Sequence, residues 1–436
     1  MEWYYALLIL VGAIAALIVI GMPVALAFLT ANILGTLIFM PNMFGMIQII
    51  ENSTDLITKF TLVPVPLFIL MGALFFHTGL ARQVFDALDR LLGRIPGRLS
   101  FLAVGGGTVF ATLTGSSLAN AAMLGSLLIP EMKERKYQPR MAIGPIMGVG
   151  GLAIIIPPSA ISVLLAGIAG VDVARLLIAG LLPGLGLALM FAMVIAWQIW
   201  RDPTAAPAYD VTPISRRDLA KLLLVDTLPI FIIIAMVIGV IVFGIATPSE
   251  AAAFGVLGVL IAAAAFGKLT VGAILKSLKG TVVVGGVVFF IVMGSAVFSQ
   301  LLAFSGASRG FLGWATSLSL DPIVVLILML VVLLVLGTFM DQVSVLLITV
   351  PIFFPLANLM GFDLIWFALL TLIAVEIGLI TPPFGLLLFV LKGQAPPGVT
   401  FLDVVKAGLP FLACNILMLA LIVVFPQLAL ALPSLL

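Results

Sequence analysis

Two Pro-Pro pairs, each inside a long apolar segment, are the positions where this chain could bind an ion. Pro157 and Pro158 lie in GLAIIIPPSAISVLLAGI, and Pro382 and Pro383 lie in EIGLITPPFGLLLFVL. Each proline lacks a backbone donor and frees the carbonyl four residues before it. The freed carbonyls are those of Ala153, Ile154, Gly378 and Leu379. Because hydrocarbon cannot solvate such groups, two broken helices at corresponding positions predict a transporter's binding site.

Two polar runs, at residues 114–120 and 337–344, provide further oxygen atoms that could coordinate a cation. Where such a run joins two half-helices, the carboxyl end of one half suits a cation and the amino end of the next suits an anion. Neutral hydroxyl and amide oxygens fit sodium, and the sequence has no His or Cys cluster for a transition metal. The candidate side-chain ligands are Ser116, Ser117, Asn120, Thr338 and Thr381.

Each of these candidates also has a structural explanation, and the sequence leaves both open. Gly115 and Gly337 could cap half-helices instead of admitting an ion to the backbone. The serines and the asparagine that follow Gly115 could be N-caps of a returning helix. Asp341 is the sharpest candidate, because a carboxylate at a hairpin tip within the membrane indicates ion or substrate binding. It could instead be a cap that faces water.

Three other polar positions are weaker candidates. Glu376 lies in the apolar helix before the second Pro-Pro pair, and its costly burial indicates either structural pairing or a proton or ion role. His77, the single histidine, has no acid or nucleophile at a motif spacing and is expected to be a packing or interface residue. The sequence TPSE at 247–250 predicts a capping box with proline at the first helical position.

The composition restricts the class of protein. The residues are 63% hydrophobic and 9% charged, and the mean hydropathy of +1.37 predicts an all-α polytopic membrane protein. The net charge of +2 gives no support for nucleic-acid binding, and a single cysteine excludes an internal disulfide. The sequence lacks an ATP-binding P-loop, a His-Glu-x-x-His zinc motif and paired intramembrane aspartates, so we predict that the chain is not an enzyme and needs no cofactor.

An internal duplication is indicated by four pairs of prolines, each separated by 225 residues. The pairs are Pro23 with Pro248, Pro130 with Pro355, Pro157 with Pro382, and Pro158 with Pro383. Each repeat is expected to have five spanning helices, one of them broken at Pro-Pro, and one hairpin. In the first repeat these segments fall near 5–21, 23–40, 62–79, the hairpin 99–130, 141–168 and 178–200. In the second they fall near 221–245, 249–266, 281–303, the hairpin 322–358, 364–391 and 404–430.

The hairpins are predicted to be re-entrant, because 99–130 is too short for two crossings of about 20 residues each. Basic residues flank both ends of this segment, which places both ends on the cytoplasmic side. Five crossings per repeat then invert the second repeat relative to the first. Both termini are expected outside, and all of the 20 Lys and Arg residues except Lys59, Arg175 and Arg309 inside.

Several runs resemble the large membrane subunit of the tripartite ATP-independent periplasmic (TRAP) transporters. They are GSSLANAAMLGSLLIPEM at 115–132, GVGGLAIIIPPS, IGLITPPFG and the N-terminal IGMPVALA. The resemblance covers nearly the whole chain. It implies a sodium-driven importer of an organic acid, such as a C4-dicarboxylate or sialic acid, in the bacterial inner membrane. It also implies two partners, a periplasmic substrate-binding protein and a separate small four-helix membrane subunit.

The resemblance further implies an elevator mechanism, in which a transport domain moves against a scaffold. The scaffold would comprise 1–95 and 221–318, the transport domain 96–200 and 319–436, and a cytoplasmic linker 201–220. The implied sodium ligands are Gly115, Ser116, Ser117, Asn120 and Ile156 in one site, and Gly337, Thr338, Asp341 and Thr381 in the other. The implied substrate residues are Ser116, Ser159, Asp341, Thr381, Pro382 and Phe384.

One alternative stays open at this point: a self-sufficient sodium/carboxylate or anion symporter of similar architecture, which would need no binding protein. The sequence leaves the identity of the organic acid and the sodium stoichiometry open as well.

Overall fold

The computed structural model describes residues 2–40, 43–209 and 222–435. Within these ranges the chain is helical and has no strands. Most of the predicted linker, 201–220, lies outside the described residues; its first part forms a 3-10 turn at Pro203–Ala205. Within the described ranges, seven helices are long and apolar enough to cross a membrane, and a bent pair raises the number to eight. The prediction of an all-α multi-pass membrane protein is therefore confirmed.

The first half contains twelve described α-helices. They are Trp3–Val19, Val24–Phe39, Met43–Ile57, Pro64–His77, Leu80–Leu92, Arg98–Thr114, Ser117–Glu134, Pro139–Gly150, Leu152–Ile155, Ala160–Ala169, Val173–Ala179 and Leu181–Arg201. The helices described after the linker are Leu228–Val242, Pro248–Ala265, Val271–Phe304, Ala307–Ser317, Pro322–Phe339, Gln342–Leu359, Leu364–Leu379, Leu386–Gln394, Phe401–Val424 and Gln427–Leu430. Short turns at Phe60–Leu62 and Pro433–Leu435 and a π-helix at Leu222–Thr227 complete the described elements.

Several helix starts follow from local hydrogen bonding. The capping box predicted at 247–250 is confirmed: the Thr247 hydroxyl accepts the Glu250 amide, and the Glu250 carboxylate accepts the Thr247 amide at 2.8 Å. Thr400 and Asp403 form a second capping box at the start of Phe401–Val424. Each box satisfies two amides that a helix start otherwise leaves without a partner.

Several helices differ from the sequence prediction; Met43–Ile57 and Ala307–Ser317, for example, lie outside every predicted segment. The helix predicted at 281–303 begins ten residues earlier and runs over Val271–Phe304, because Thr270 caps it there by accepting the amide of Ala273 at 3.1 Å. Leu80–Leu92 was not predicted as an element. It is amphipathic, with buried Leu80, Val84 and Phe85 on one side, and its charges give it too low a hydropathy for a spanning helix.

Both predicted hairpins form. The first comprises Arg98–Thr114 and Ser117–Glu134, and the second comprises Pro322–Phe339 and Gln342–Leu359. The arms have 17 or 18 residues, which corresponds to about 27 Å. By length and composition alone, each arm of the second hairpin could cross a membrane. Arm length therefore does not establish re-entry, which stays a prediction.

The base of the first hairpin is fixed by ionic and aromatic contacts. Arg98 begins the hairpin and, although almost fully buried, donates to the Asp89 carboxylate at 2.6 Å. Burial raises the pKa of Asp89, and the Arg98 charge opposes that shift. The Arg135 guanidinium, at the other end of the hairpin, lies 3.6 Å from the centre of the Tyr209 ring. Burial raises the pKa of Tyr209 to about 12. These contacts join both ends of the hairpin to neighbouring segments.

Candidate functional site

The first Pro-Pro break is entirely buried. The backbone of Ile156 is extended, and a new helix starts after Ser159, whose hydroxyl accepts the Ser162 amide at 3.2 Å. The Ser162 hydroxyl donates to the Ile154 carbonyl at 2.6 Å. One of the two carbonyls that the sequence predicts to be free is thus satisfied within the segment. The Pro157–Pro158 peptide bond is cis, as is the Pro382–Pro383 bond of the second break.

Two glycines allow the helix Leu181–Arg201 and its start to pack directly on this break. A Cβ on Gly180 would lie 1.9 Å from the carbonyl oxygen of Ile155, and one on Gly184 would lie 2.3 Å from Cγ1 of Ile156. Both glycines have room for nothing larger than hydrogen. This close packing places the helix against the carbonyls at the break.

The second break is more open than the first. Thr381 is partly buried; its amide donates to the Gly378 carbonyl at 3.0 Å and its hydroxyl to the Ile377 carbonyl at 2.6 Å. Pro382 is partly buried, whereas Phe384 is 51% exposed, with its ring centre 5.3 Å from that of Phe339. The carbonyl of Gly378, predicted to be free, is therefore also satisfied locally.

The tip of the first hairpin consists of residues 115–120. Gly115 caps the outgoing arm in the left-handed region, with φ of 58°. This agrees with the interpretation of Gly115 as a helix cap. Ser116 is the N-cap of the returning arm, and its hydroxyl accepts the Ala119 amide at 3.4 Å. Asn120 is fully buried; its Nδ2 donates to the Val149 carbonyl at 3.1 Å, while its Oδ1 has no hydrogen-bond partner.

The tip of the second hairpin differs from the predicted turn at 337–344. Gly337 and Thr338 lie inside the outgoing helix, and the turn itself is Met340 and Asp341. Gly337 packs against the backbone of Gly378 instead of capping a half-helix: a Cβ on Gly378 would lie 2.6 Å from its Cα. The Thr338 hydroxyl donates to the Val335 carbonyl at 2.7 Å. Helical continuation is unbroken here because the sequence up to Phe339 contains no further helix-breaking residue.

Asp341 is the N-cap of the returning arm of the second hairpin. One carboxylate oxygen accepts the Ser344 amide at 3.2 Å, and the other accepts the Ser344 hydroxyl. The side chain is partly exposed. Asp341 lies 225 residues after Ser116, so the two caps occupy equivalent positions in the proposed repeats.

Both hairpin tips contact Glu376, whose side chain is completely buried. The Ser117 hydroxyl donates to its Oε2 at 2.8 Å, and the Gln342 amide nitrogen donates both to the same Oε2 and to the Ser117 hydroxyl, the latter at 3.0 Å. Sequence reasoning identified Ser117 and Glu376 but missed Gln342. Gln342 could have been identified from the repeat offset, because it lies 225 residues after Ser117 and is therefore its equivalent in the second hairpin.

One cavity lies beside the first hairpin and another beside the helix that follows it. One of about 460 Å³ separates the first hairpin from Pro64–His77 and Val271–Phe304; Ser116, Ala119, Phe76 and Val284 are among its lining residues. The other, of about 710 Å³, lies away from the tips and is lined by Arg140, Arg201 and Lys406 among others. At its edge, the Thr204 hydroxyl donates to Asp202 and lowers the pKa of that carboxyl, to which Arg140 also donates.

His77 is exposed and its ring lies against Phe76.

Residues 11–428 match the model of the family described as "Tripartite ATP-independent periplasmic transporter, DctM component". The chain belongs to this family. The permease is 33% identical to the C4-dicarboxylate TRAP transporter large permease protein DctM of Pseudomonas aeruginosa, over 89% of this chain and 88% of the relative. It is 31% identical to the sialic acid TRAP transporter large permease protein SiaM of Vibrio cholerae, over 95% of each chain.

A structural comparison supports the fold of the permease. The crystal structure of the YdaH transporter of Alcanivorax borkumensis, described as having an unusual topology, superimposes with a TM-score of 0.62. The match covers 89% of this chain and 90% of YdaH at 14% identity. Because the identity is low, the comparison concerns the fold alone. The resemblance to TRAP large subunits is confirmed, and the permease is the large membrane component of a secondary transporter.

Proposed function

We propose that the permease is the large subunit of a sodium-coupled importer that carries an organic acid across the bacterial inner membrane. The observation that carries this proposal is the meeting of both hairpin tips at Glu376. The first tip also contacts the segment around the first Pro-Pro break: Asn120 donates to the Val149 carbonyl before the break, and a Cβ on Gly115 would lie 3.0 Å from the Ala160 amide nitrogen after it. Helix ends and oxygen atoms from both halves of the chain therefore converge on one buried region. Such convergence is typical of ion and substrate sites in secondary transporters.

The depth of this region supports re-entrant hairpins. Glu376 follows Leu364 by twelve residues in a helix that starts there, which places it about 18 Å from the beginning of that helix. The hydrocarbon core is about 30 Å thick. With Leu364 at the membrane boundary, tips that contact Glu376 would end inside the bilayer instead of crossing it. Inverted repeats, with the hairpins entering from opposite faces, account for this meeting.

The proposed first sodium site combines Gly115, Ser116, Ser117 and Asn120 with the carbonyl of Ile156. Its best support is Asn120: the Oδ1 is an acceptor, is buried, and lacks a hydrogen-bond partner. Buried polar atoms normally have a partner, so an orphaned acceptor is consistent with a cation ligand. The Ser117 hydroxyl donates to Glu376 and accepts from Gln342, and its second lone pair can coordinate an ion.

The proposed second sodium site combines Gly337, Thr338, Asp341 and Thr381. Thr338 and Thr381 direct their hydroxyl hydrogens to carbonyls of their own helices, which leaves oxygen lone pairs for an ion. Asp341 supplies the negative charge. The two sites together would bind two sodium ions with one carboxylate.

The proposed substrate site lies between the tips. Ser116 also lines the cavity of about 460 Å³ between the first hairpin and the predicted scaffold helices, and that volume would suit a small organic acid on its way to the site. Asp341, Thr381, Pro382 and Phe384 do not line this cavity and would contact the substrate from the second tip and the second break, whereas Ser159 is fully buried and would act through the helix that it caps. Helix amino ends and hydroxyls would hold the substrate carboxylate, since neither tip contains an arginine.

The proposed mechanism is an elevator that works with two partner proteins. The family description, which calls the transporter tripartite and periplasmic, supports partners of this kind. Residues 96–200 and 319–436 would move against a scaffold of 1–95 and 221–318, with both termini periplasmic. A periplasmic protein would deliver the substrate, and a small four-helix subunit would complete the membrane complex. The cavity between the first hairpin and two predicted scaffold helices lies where these domains would slide past each other.

Sodium coupling provides sufficient energy for accumulation without ATP. A membrane potential of 100 mV contributes about 2.3 kcal/mol per net charge, and a tenfold gradient contributes about 1.4 kcal/mol per ion. With two sodium ions and one monoanion the driving force is about 5 kcal/mol, which supports roughly several thousand-fold accumulation.

Sodium-driven uptake into liposomes tests the proposal. We expect proteoliposomes of the permease and its small subunit to accumulate one member of an organic-acid panel only with an inward sodium gradient and the matching binding protein. Uptake without any periplasmic protein would support the self-sufficient symporter instead. Uptake that is equal in sodium and choline would contradict sodium coupling.

Replacing Ser116 and Ser117 together by Ala is expected to raise the half-saturating sodium concentration about tenfold or more, because two ligand oxygens are lost and each hydrogen bond to a charge contributes about 1.5–3 kcal/mol. The measurement is initial uptake against sodium concentration. Ser277→Ala is the matched control, since that buried hydroxyl bonds only to the Ala273 carbonyl of its own helix. An unchanged sodium response in the double variant would remove these serines from the site.

A further inference from the structure

The four residues at the meeting point of the hairpins form two equivalent pairs under the repeat offset. Ser117 and Gln342 are 225 residues apart, and so are Gly151 and Glu376. Members of each pair contact each other: Gln342 donates to Ser117, and Gly151 lies against the Glu376 side chain. Residues that are equivalent and also touch must lie beside the two-fold axis that relates the repeats.

Ser117 and Gln342 occupy the same position in the two hairpins. Each is the first residue of its returning helix, immediately after the N-caps Ser116 and Asp341. Both donate to Oε2 of Glu376, the former at 2.8 Å. The carboxylate therefore lies between two helix amino ends, which carry partial positive charge. It connects the tip of one proposed sodium site to the tip of the other.

The space beside the axis has room for only one glutamate side chain. A Cβ on Gly151 would lie 2.7 Å from both Cγ and Oε1 of Glu376. The carboxylate thus fills the volume that the missing side chain of Gly151 leaves. The backbone of Gly151 is helical, with φ of −65° and ψ of −21°, so this position needs a glycine for space and not for conformation.

No ion pair among the described residues includes Glu376. The charged or titratable residues within the helices that pack against its helix are Arg175, Lys392, Asp403, Lys406 and Cys414, and those helices have Asp172, Asp321 and Asp341 among their N-caps. None of them donates to its carboxylate, which has the two tip residues as its only described partners. A buried carboxylate is costly in a membrane, and apolar packing would stabilise the helix better. The presence of such a group here indicates a role at the tips.

We propose that Glu376 is a positioning residue that couples the two hairpin tips, so that the two sodium sites assemble together. This inference rests on the proposed sodium function. While both tips donate to the carboxylate, the ligands of both sites are held in place; displacement of one tip removes a partner from the other. Sodium binding at one site thereby favours the ordered form of the second, which is positive cooperativity.

The test is a sodium titration of the purified permease, with NaCl as the ligand and choline chloride as the control, read as thermal stabilisation in detergent. For the wild type we expect a Hill coefficient near about 2, as for two coupled sites. In Glu376→Gly it should fall toward about 1, and the half-saturating sodium concentration should rise by about 5- to 150-fold.

A swap distinguishes coupling from general packing. In the double variant Gly151→Glu with Glu376→Gly, the carboxylate returns from the opposite side of the axis. From there it can accept hydrogen bonds from both Gln342 and Ser117, with each of these residues in the place that the other has relative to the wild-type carboxylate. We expect the swap to restore the Hill coefficient and most of the sodium affinity, whereas Gly151→Glu alone, which overfills the axis, should not.

Gln342→Leu provides a second variant that leaves the axis filled, and it should lower the Hill coefficient in the same way. A folded Glu376→Gly or Gln342→Leu protein with the wild-type Hill coefficient would overturn the proposal, as would a folded swap that binds sodium no better than Glu376→Gly. Absence of any sodium response in the wild type would instead contradict the proposed function. The two failures are thus distinguishable.

Discussion

Asp341→Ala is expected to abolish sodium-dependent uptake or to weaken it severely while the permease remains folded. The substitution removes the only charged ligand of the proposed second site, and a hydrogen bond or contact to a charge contributes about 1.5–3 kcal/mol. That corresponds to roughly 10- to 100-fold in half-saturating sodium. The loss of the N-cap costs only about 1 kcal/mol of stability. Uptake in proteoliposomes and thermal unfolding in detergent measure the two effects separately.

Asp341→Ser separates the cap from the charge. Ser116, at the equivalent position of the first hairpin, already caps its returning arm, so serine should hold the second arm as well. We expect Asp341→Ser to keep the stability of the wild type and yet lose uptake as Asp341→Ala does. Full uptake by the serine variant would show that the cap is sufficient, and would remove Asp341 from the ion site.

Gly180→Ala is expected to have the largest effect of any conservative substitution at the first break. Its Cβ would lie 1.9 Å from the Ile155 carbonyl oxygen, a backbone atom that cannot rotate away. Overfilling of a packed interior costs about 1–3 kcal/mol, occasionally more. Because the displaced backbone also carries the Ile156 carbonyl, we expect both a lower unfolding temperature and loss of sodium-dependent uptake.

Gly393→Ala is the matched control for this prediction. Gly393 is also helical, and a Cβ there has nothing within 4 Å. It should be tolerated, or slightly stabilising, because alanine favours helix. If Gly180→Ala unfolds and transports like Gly393→Ala, the close approach of Gly180 to the break has no importance for the site.

The sequence was sufficient for the elements whose determinants are local. The prolines at 157–158 and 382–383 break their helices wherever they are, and the residues at 247–250 cap a helix through bonds to one another. The proline offset also predicted two hairpins in equivalent places. Amphipathic helices such as Leu80–Leu92 were missed because a search for apolar segments passes over charged ones.

The partners of individual site residues could not be predicted, because they depend on packing between distant segments. Gly337 looked like a cap, yet it is a contact surface for Gly378, which is 41 positions away in the sequence. The choice between pairing and an ion role for Glu376 likewise depended on Ser117, which is 259 residues away. The offset relation between Gly151 and Glu376 was already present in the sequence, but only spatial contact gives it meaning.

The single carboxylate beside the proposed axis also bears on how the two proposed repeats could relate to identical halves. In a homodimer of one half, an acid at this position would meet its own copy, because the Glu376 side chain already fills the space beside Gly151. Two like charges would then be forced together in a dry interior. Two halves with different sequences escape this constraint, since one can keep the acid while the other has a glycine. The glycine opposite the glutamate is therefore a difference between the proposed repeats that two identical subunits could not have.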